Sequence, residues 1–127
     1  IFQIVAVYMP NNPILRRNSF IELAFFLNAQ DIPTLIYGDF NVMRNSLNKT
    51  DKPPNAQACS DFNRFIPSSN LNELCDNQSN YTWSNRRQGN DIIFCKLDWG
   101  LTNFTWERQT NVVCALSTSP RATLDHK

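Results

Sequence analysis

The run Thr34-Leu-Ile-Tyr-Gly-Asp-Phe-Asn constrains this chain more than any other stretch. Its first four residues are β-branched, apolar or aromatic, the composition of a buried strand. Gly38 ends the run, and Asp39 and Asn41 follow one residue apart. Residues two apart on a strand share a face. The period therefore aims Asp39 and Asn41 at one small target and turns Phe40 into the core between them. Gly, Asp and Asn are also ordinary turn formers, so a plain turn is the rival reading.

The neighbouring segments place this strand in a layered fold. Ile1–Pro10 (IFQIVAVYMP) reads as a buried strand closed by proline. Asn18 or Ser19 is expected to cap a helix running to about Asn28, with Phe20, Leu23, Ala24 and Leu27 on one face. Ala56–Ile66 reads as a second helix, with Cys59, Phe62, Phe65 and Ile66 facing inward. Leu71–Leu74, Asn80–Asn85, Ile92–Thr102 and Thr110–Ser117 read as strands, with a hairpin turn around Gly89. Strands paired with helices, then an antiparallel hairpin, predict α/β layers with helices outside a pair of sheets. A chain of 127 residues is expected to form a single unit over 1–127. It has neither a GxGxxG run nor a P-loop.

Composition narrows the function classes. A net charge of +1 gives no overall basic field, so any nucleic-acid contact rests on local patches. The apolar stretch Phe20–Leu27 is short and broken by Glu22, and no membrane partner is expected. Cys59, Cys75, Cys95 and Cys114 stand singly, with no CxxC pair, and are expected to be free thiols. The sequons at Asn48, Asn77, Asn80 and Asn103 matter only after secretion, and no signal peptide is visible. A nuclear or cytoplasmic location is the expectation, although no nuclear-localisation run stands out.

Polar residues at predicted strand ends form the candidate site: Tyr8, Asn11, Asp39, Asn41, Asp98, Asp125 and the sole histidine, His126. Each has a plain structural alternative: a rim tyrosine, a turn-capping aspartate, an exposed histidine. Their order carries more than any one of them. Tyr8-x-Pro-Asn11, Gly38-Asp-Phe-Asn41, Tyr81-Thr-Trp-Ser-Asn85, Lys96-Leu-Asp98 and Asp125-His126 together resemble the endonuclease/exonuclease/phosphatase superfamily. More narrowly, Tyr81–Leu101 followed by Ser119–His126 is similar to the endonuclease domain of plant LINE-type (non-LTR) retrotransposons.

That resemblance implies a DNase I-like four-layer α/β sandwich and phosphodiester cleavage with water and Mg²⁺ (or Mn²⁺). It implies DNA as partner and a reverse transcriptase domain in the parental polyprotein; it does not define the oligomeric state. Asp39 resembles the aspartate that aligns or deprotonates the attacking water, and Asn41 the amide that holds water and a phosphate oxygen. His126 resembles the histidine on the scissile phosphate, Asp98 its carboxylate partner, and Asp125 a metal-site carboxylate. Tyr8 resembles a phosphate-binding hydroxyl and Asn11 a neighbouring substrate contact. Arg86, Arg87 and Arg121 are candidate backbone-phosphate contacts, with solvated surface arginine as the alternative. Trp83 and Leu97 fall where abasic-site enzymes line their damage pocket; Ser84 replaces a second aromatic there, which points to plain nicking, and a core role for Trp83 is the favoured alternative.

The chemistry suits these residue types. A phosphodiester transition state gains negative charge, which a hard cation and positioned donors stabilise while a carboxylate handles water. The chain also departs from the family. It starts at Ile1 inside a strand and stops just past the Asp-His pair, so it reads as a piece of a longer domain, with the N-terminal strands, their metal-binding Glu and the last strand outside it. Leu124 stands where the family has Ser, and Trp99 where the plant elements have a basic residue. The expectation is weak or no activity for this piece alone. Two rivals stay open: a non-catalytic retroelement remnant or nucleic-acid-binding fragment, and a phosphatase of the same superfamily.

Overall fold

The computed structural model describes residues 1–74 and 81–110. Strand β1 (Gln3–Tyr8) leads through helix α1 (Pro13–Asn28) to strand β2 (Thr34–Asp39). Helix α2 (Ala56–Ser68) follows, then β3 (Leu71–Glu73), β4 (Trp83–Ser84), β5 (Phe94–Cys95), β6 (Asp98–Asn103) and α3 (Phe104–Thr110). Four strands form one sheet in the order β1-β2-β6-β3, and β4 and β5 form a short antiparallel pair. β1 and β2 are parallel, as a crossover through α1 requires, whereas β6 is antiparallel to both of its neighbours. No helix among the described residues is long and apolar enough to cross a membrane.

Four expectations are corrected at element boundaries. α1 begins at Pro13, not after Asn18 or Ser19. Asn12 is its cap: the backbone N–H groups of Ile14 and Leu15 donate to Asn12 Oδ1 at 2.9 and 3.0 Å. Pro13 stands in the first turn, where a missing N–H costs nothing. α2 runs past Ile66 to Ser68, because Pro67 lies in the last turn and Ser69 N–H closes it on Phe65 O. The expected single strand Ile92–Thr102 is two strands in different sheets, broken at Lys96-Leu97. α3 was not expected; Asn103 Oδ1 accepts from Trp106 N–H at 2.9 Å, a cap in a stretch that reads as sequon and loop. The expected strand Thr110–Ser117 lies almost wholly outside the described residues, and its first residue closes α3.

The core is aromatic and sits between the helices and one face of the four-stranded sheet. Phe20 of α1 stacks on Phe65 and Phe62 of α2 at 4.8 and 5.6 Å between centroids. Phe62 in turn meets Phe40 at 5.1 Å and the edge of Trp99 at 5.5 Å. Ile36, Leu101, Val42, Leu27, Ile66 and Leu71 close around them. Phe40 is fully buried, as the strand period predicted for the residue between Asp39 and Asn41. On the other sheet face, Ile4, Tyr8 and Tyr37 are exposed.

Candidate functional site

The pairing register assembles the site. Tyr8 is the partner of Asp39 across β1–β2, and Asp39 is the partner of Asp98 across β2–β6. Paired residues of neighbouring strands share a face, so Tyr8, Asp39 and Asp98 stand in one row, each about 4.8 Å of strand spacing from the next.

Gly38 allows that row to form. Its φ is +151°, and a Cβ there would lie 2.0 Å from Val7 O of the adjacent strand. The obstacle is backbone and cannot swing away, so the residue before Asp39 is glycine for steric reasons.

Asp39 and Asn41 converge, but not by strand period. β2 ends at Asp39, and Asn41 takes a left-handed φ of 52°. Asn tolerates that region better than other side chains with a Cβ. Asp39 Oδ1 accepts the backbone N–H of Asn41 at 2.8 Å, the bond of an Asx turn. The turn reading therefore holds, and it is the turn, not the strand period, that brings the two side chains to one cavity. Asn41 Nδ2 donates to Met9 O at 2.7 Å, and Met9 N–H donates to Asp39 O at 2.8 Å, which ties the ends of β1 and β2 together.

Beyond Asn41 the chain is anchored on all sides. Trp99 Nε1 donates to Val42 O at 3.0 Å, so the large residue after Asp98 pins the residue after Asn41. Arg44 donates to Asn63 Oδ1 and Glu73 Oε1, both at 2.7 Å, and receives Asn63 Nδ2 on its carbonyl at 2.8 Å. On the far wall, Thr82 Oγ1 accepts from the N–H groups of Leu97 and Asp98 at 2.9 and 3.1 Å, which fixes the entry of β6.

These anchors frame a cavity of about 860 Å³. One wall is polar: Tyr8, Asn11, Asp39, Asn41 and Asp98. The facing wall is mostly apolar, with Trp83, Ile93, Cys95 and Leu97, and Met43 and Lys49 complete the lining. Six of the expected site residues thus share one cavity. Trp83 is half-buried and lines it, which corrects the favoured core reading. Arg86 and Arg87 are exposed on the β4–β5 hairpin loop, outside the lining, with Asn85 Oδ1 accepting from the N–H groups of Arg87 and Ile93. Arg121, Asp125 and His126 lie outside the described residues.

Lys49 and Arg16 were missed. Lys49 is half-buried in the cavity lining, inside a loop that reads as merely polar. Arg16 is buried behind the site, and nothing in an arginine pair on a helix distinguishes the member that faces inward without the cap position. Burial pushes the Cys95 thiol up, with Asp51 adding to the shift and Lys49 opposing it. Cys95 is buried and lies along the apolar wall with Trp83, Ile93 and Leu97. Cys59 and Cys95 are free thiols, as expected; Cys75 and Cys114 lie outside the described residues.

The comparisons place this mixed α/β arrangement in a class, the endonuclease/exonuclease/phosphatase superfamily with its DNase I-like fold. The chain matches, over residues 2–126, the model of the family described as endonuclease-reverse transcriptase, and it belongs to that family. Its structure is similar to that of a β-hairpin deletion mutant of beta toxin from Staphylococcus aureus, with a TM-score of 0.59 and 17% sequence identity. The match covers 93% of this chain and 44% of the toxin chain, so the chain spans less than half the length of that structural relative. At that identity the likeness speaks for the fold alone. No curated protein matches the chain significantly.

Proposed function

We propose that this chain carries the catalytic face of a divalent-metal-dependent phosphodiesterase that nicks DNA, as part of a retroelement polyprotein of the LINE type. The observation that carries this reading is the single register row Tyr8–Asp39–Asp98, with Asn41 hydrogen-bonded into it. Asp39, with one oxygen engaged by Asn41 N–H, orients the attacking water and takes its proton. Asn41 uses one Nδ2 hydrogen on Met9; its Oδ1 and second hydrogen, which make no bond among the described residues, face water and a phosphate oxygen. Tyr8, 83% exposed, offers its hydroxyl to a phosphate oxygen. Asp98 orients His126, whose imidazolium contacts the scissile phosphate, and Asn11 contacts the neighbouring substrate backbone. Arg86 and Arg87 reach flanking phosphates, which supply affinity rather than sequence choice.

The donor set fits Mg²⁺ or Mn²⁺. The cavity offers carboxylate, amide and phenol oxygens, the hard donors such a cation takes. Mg²⁺ keeps several waters and takes one or two protein carboxylates, so Asp125 is the carboxylate that would hold it beside these oxygen donors. When bound, the cation supplies charge stabilisation to the phosphoryl oxygens.

The rival reading predicts a different outcome. A non-catalytic remnant would bind nucleic acid through the same cavity and hairpin without cutting it. One experiment separates the two: the purified chain with supercoiled plasmid and Mg²⁺, beside Asp39→Ala and EDTA controls. Weak nicking by this piece alone, lost in both controls, is the expected result. DNA binding without nicking by a folded chain selects the remnant. Release of phosphate from phosphomonoesters in place of nicking selects the phosphatase.

A further inference from the structure

Arg16 has 6% of its surface exposed, yet forms no ion pair among the described residues. It sits in the second turn of α1, where its own N–H donates to Asn12 O. Its guanidinium Nη1 points at backbone carbonyls instead: Asn11 O at 3.1 Å, Asn41 O at 3.1 Å and Pro10 O at 3.5 Å. An Nη carries two hydrogens, so the two shorter bonds use both and the third is marginal. The two strong acceptors belong to the two loops that bring Asn11 and Asn41 to the cavity.

A buried cation held only by carbonyls is a costly way to fill space, since an apolar side chain of similar length avoids the desolvation. Burial indeed pulls the Arg16 pKa below its ordinary value, with Asp61 opposing and Arg17 adding to that shift. The cost has a return in geometry. Arg16, Asn41 Nδ2 on Met9 O, and Met9 N–H on Asp39 O close a ring of bonds around the ends of β1 and β2.

We propose that Arg16 is a positioning residue of the site: one guanidinium nitrogen locks the β1–α1 loop to the β2 loop and so sets Asn11 and Asn41 relative to Asp39. Arg16 touches no reacting atom. Its effect on turnover rests on the phosphodiesterase reading above; its effect on loop order does not.

The test compares Arg16→Met and Arg16→Lys with Arg17→Met, which removes a neighbouring charge that pairs with Asp61 and touches neither loop. Hydrogen–deuterium exchange is read over residues 9–12 and 39–43 against the α2 core, with thermal melting and plasmid nicking alongside. Arg16→Met is expected to speed exchange in both loops by about tenfold or more, with the α2 core unchanged. It is expected to lower kcat by about 100-fold with little change in KM. Arg16→Lys recovers part of both losses, because an ammonium also donates to carbonyls. Arg17→Met leaves both loops as they are. Unchanged loop exchange, or acceleration spread evenly over the chain, overturns the proposal, as does unchanged kcat in a wild-type chain that nicks. If the wild type does not nick, the phosphodiesterase reading falls, and loop exchange alone decides whether Arg16 is the clamp.

Discussion

Gly38 shows how much a site depends on a residue with no functional group. A Cβ there would sit 2.0 Å from the Val7 carbonyl oxygen, and the backbone also has φ of +151°. Gly38→Ala is therefore expected to destabilise the chain by about 3 kcal/mol or more, or to push β2 away from β1, as read by urea unfolding. Its neighbour behaves differently. Asp39→Asn keeps shape and can still accept Asn41 N–H, so it is expected to melt near the wild type while nicking falls by a factor of about 100 or more. Stability and activity thus separate between two adjacent residues. Lys49 belongs to this scale as well. As a half-buried cation in the cavity lining, Lys49→Ala is expected to weaken DNA binding and flatten its salt dependence, measured by titrations at several salt concentrations. Gly38, Asp39 and Asn41 were legible because strand composition, a glycine and two polar groups fall within a few residues. Lys49 was not, because a single lysine in a polar loop carries no local sign of what faces it.

At the scale of elements, α1 is the part whose boundary sequence reading placed worst and whose function in the site is largest. Asn18 and Ser19 are good cap residues, but Asn12 followed by Pro13 is the cap that forms. The earlier start gives α1 nearly two extra turns, and Arg16 lies in them. Asn12→Ala is expected to cost about 1 kcal/mol, read as a lower melting temperature. The aromatic stack joins α1, α2 and the sheet. Phe62 touches Phe20, Phe40 and Trp99 at once, so Phe62→Ala is expected to cost about 3–5 kcal/mol in denaturant unfolding. That loss would also loosen the site, because Phe40 lies between Asp39 and Asn41 and Trp99 follows Asp98. The amphipathic spacing that placed Phe20, Phe62, Phe65 and Ile66 inward was readable directly. The division of residues 92–102 between two sheets was not, because the whole run is apolar enough for one strand and the break at Lys96-Leu97 depends on what packs beside it.

At the scale of the whole molecule, the charge pair Arg17–Asp61 joins α1 and α2 outside the core. Burial alone would raise the Asp61 pKa; hydrogen bonds from Gln57 and Arg17 and the charges of Arg17 and Arg64 outweigh it, and the carboxyl lies below its ordinary value. A carboxylate depressed on folding contributes stability above its unfolded pKa, about 3.9, and that stability is lost as pH falls through the folded value. Melting measured at pH 7 and pH 3 is thus expected to show a smaller acid-induced loss for Asp61→Asn than for the wild type. What the sequence by itself determined is the set of local identities: buried strands, two amphipathic helices, and an ordered series of motifs that marks the family. Strand composition and helical spacing act over a few residues, so they are written in neighbouring letters. Tertiary structure alone decided which polar groups meet. The register that sets Tyr8, Asp39 and Asp98 in one row joins residues up to 90 positions apart, and a slip of one residue would turn an entire strand over. The apolar wall that includes Trp83 and the buried clamp at Arg16 depend in the same way on long-range packing, which no short window of sequence contains.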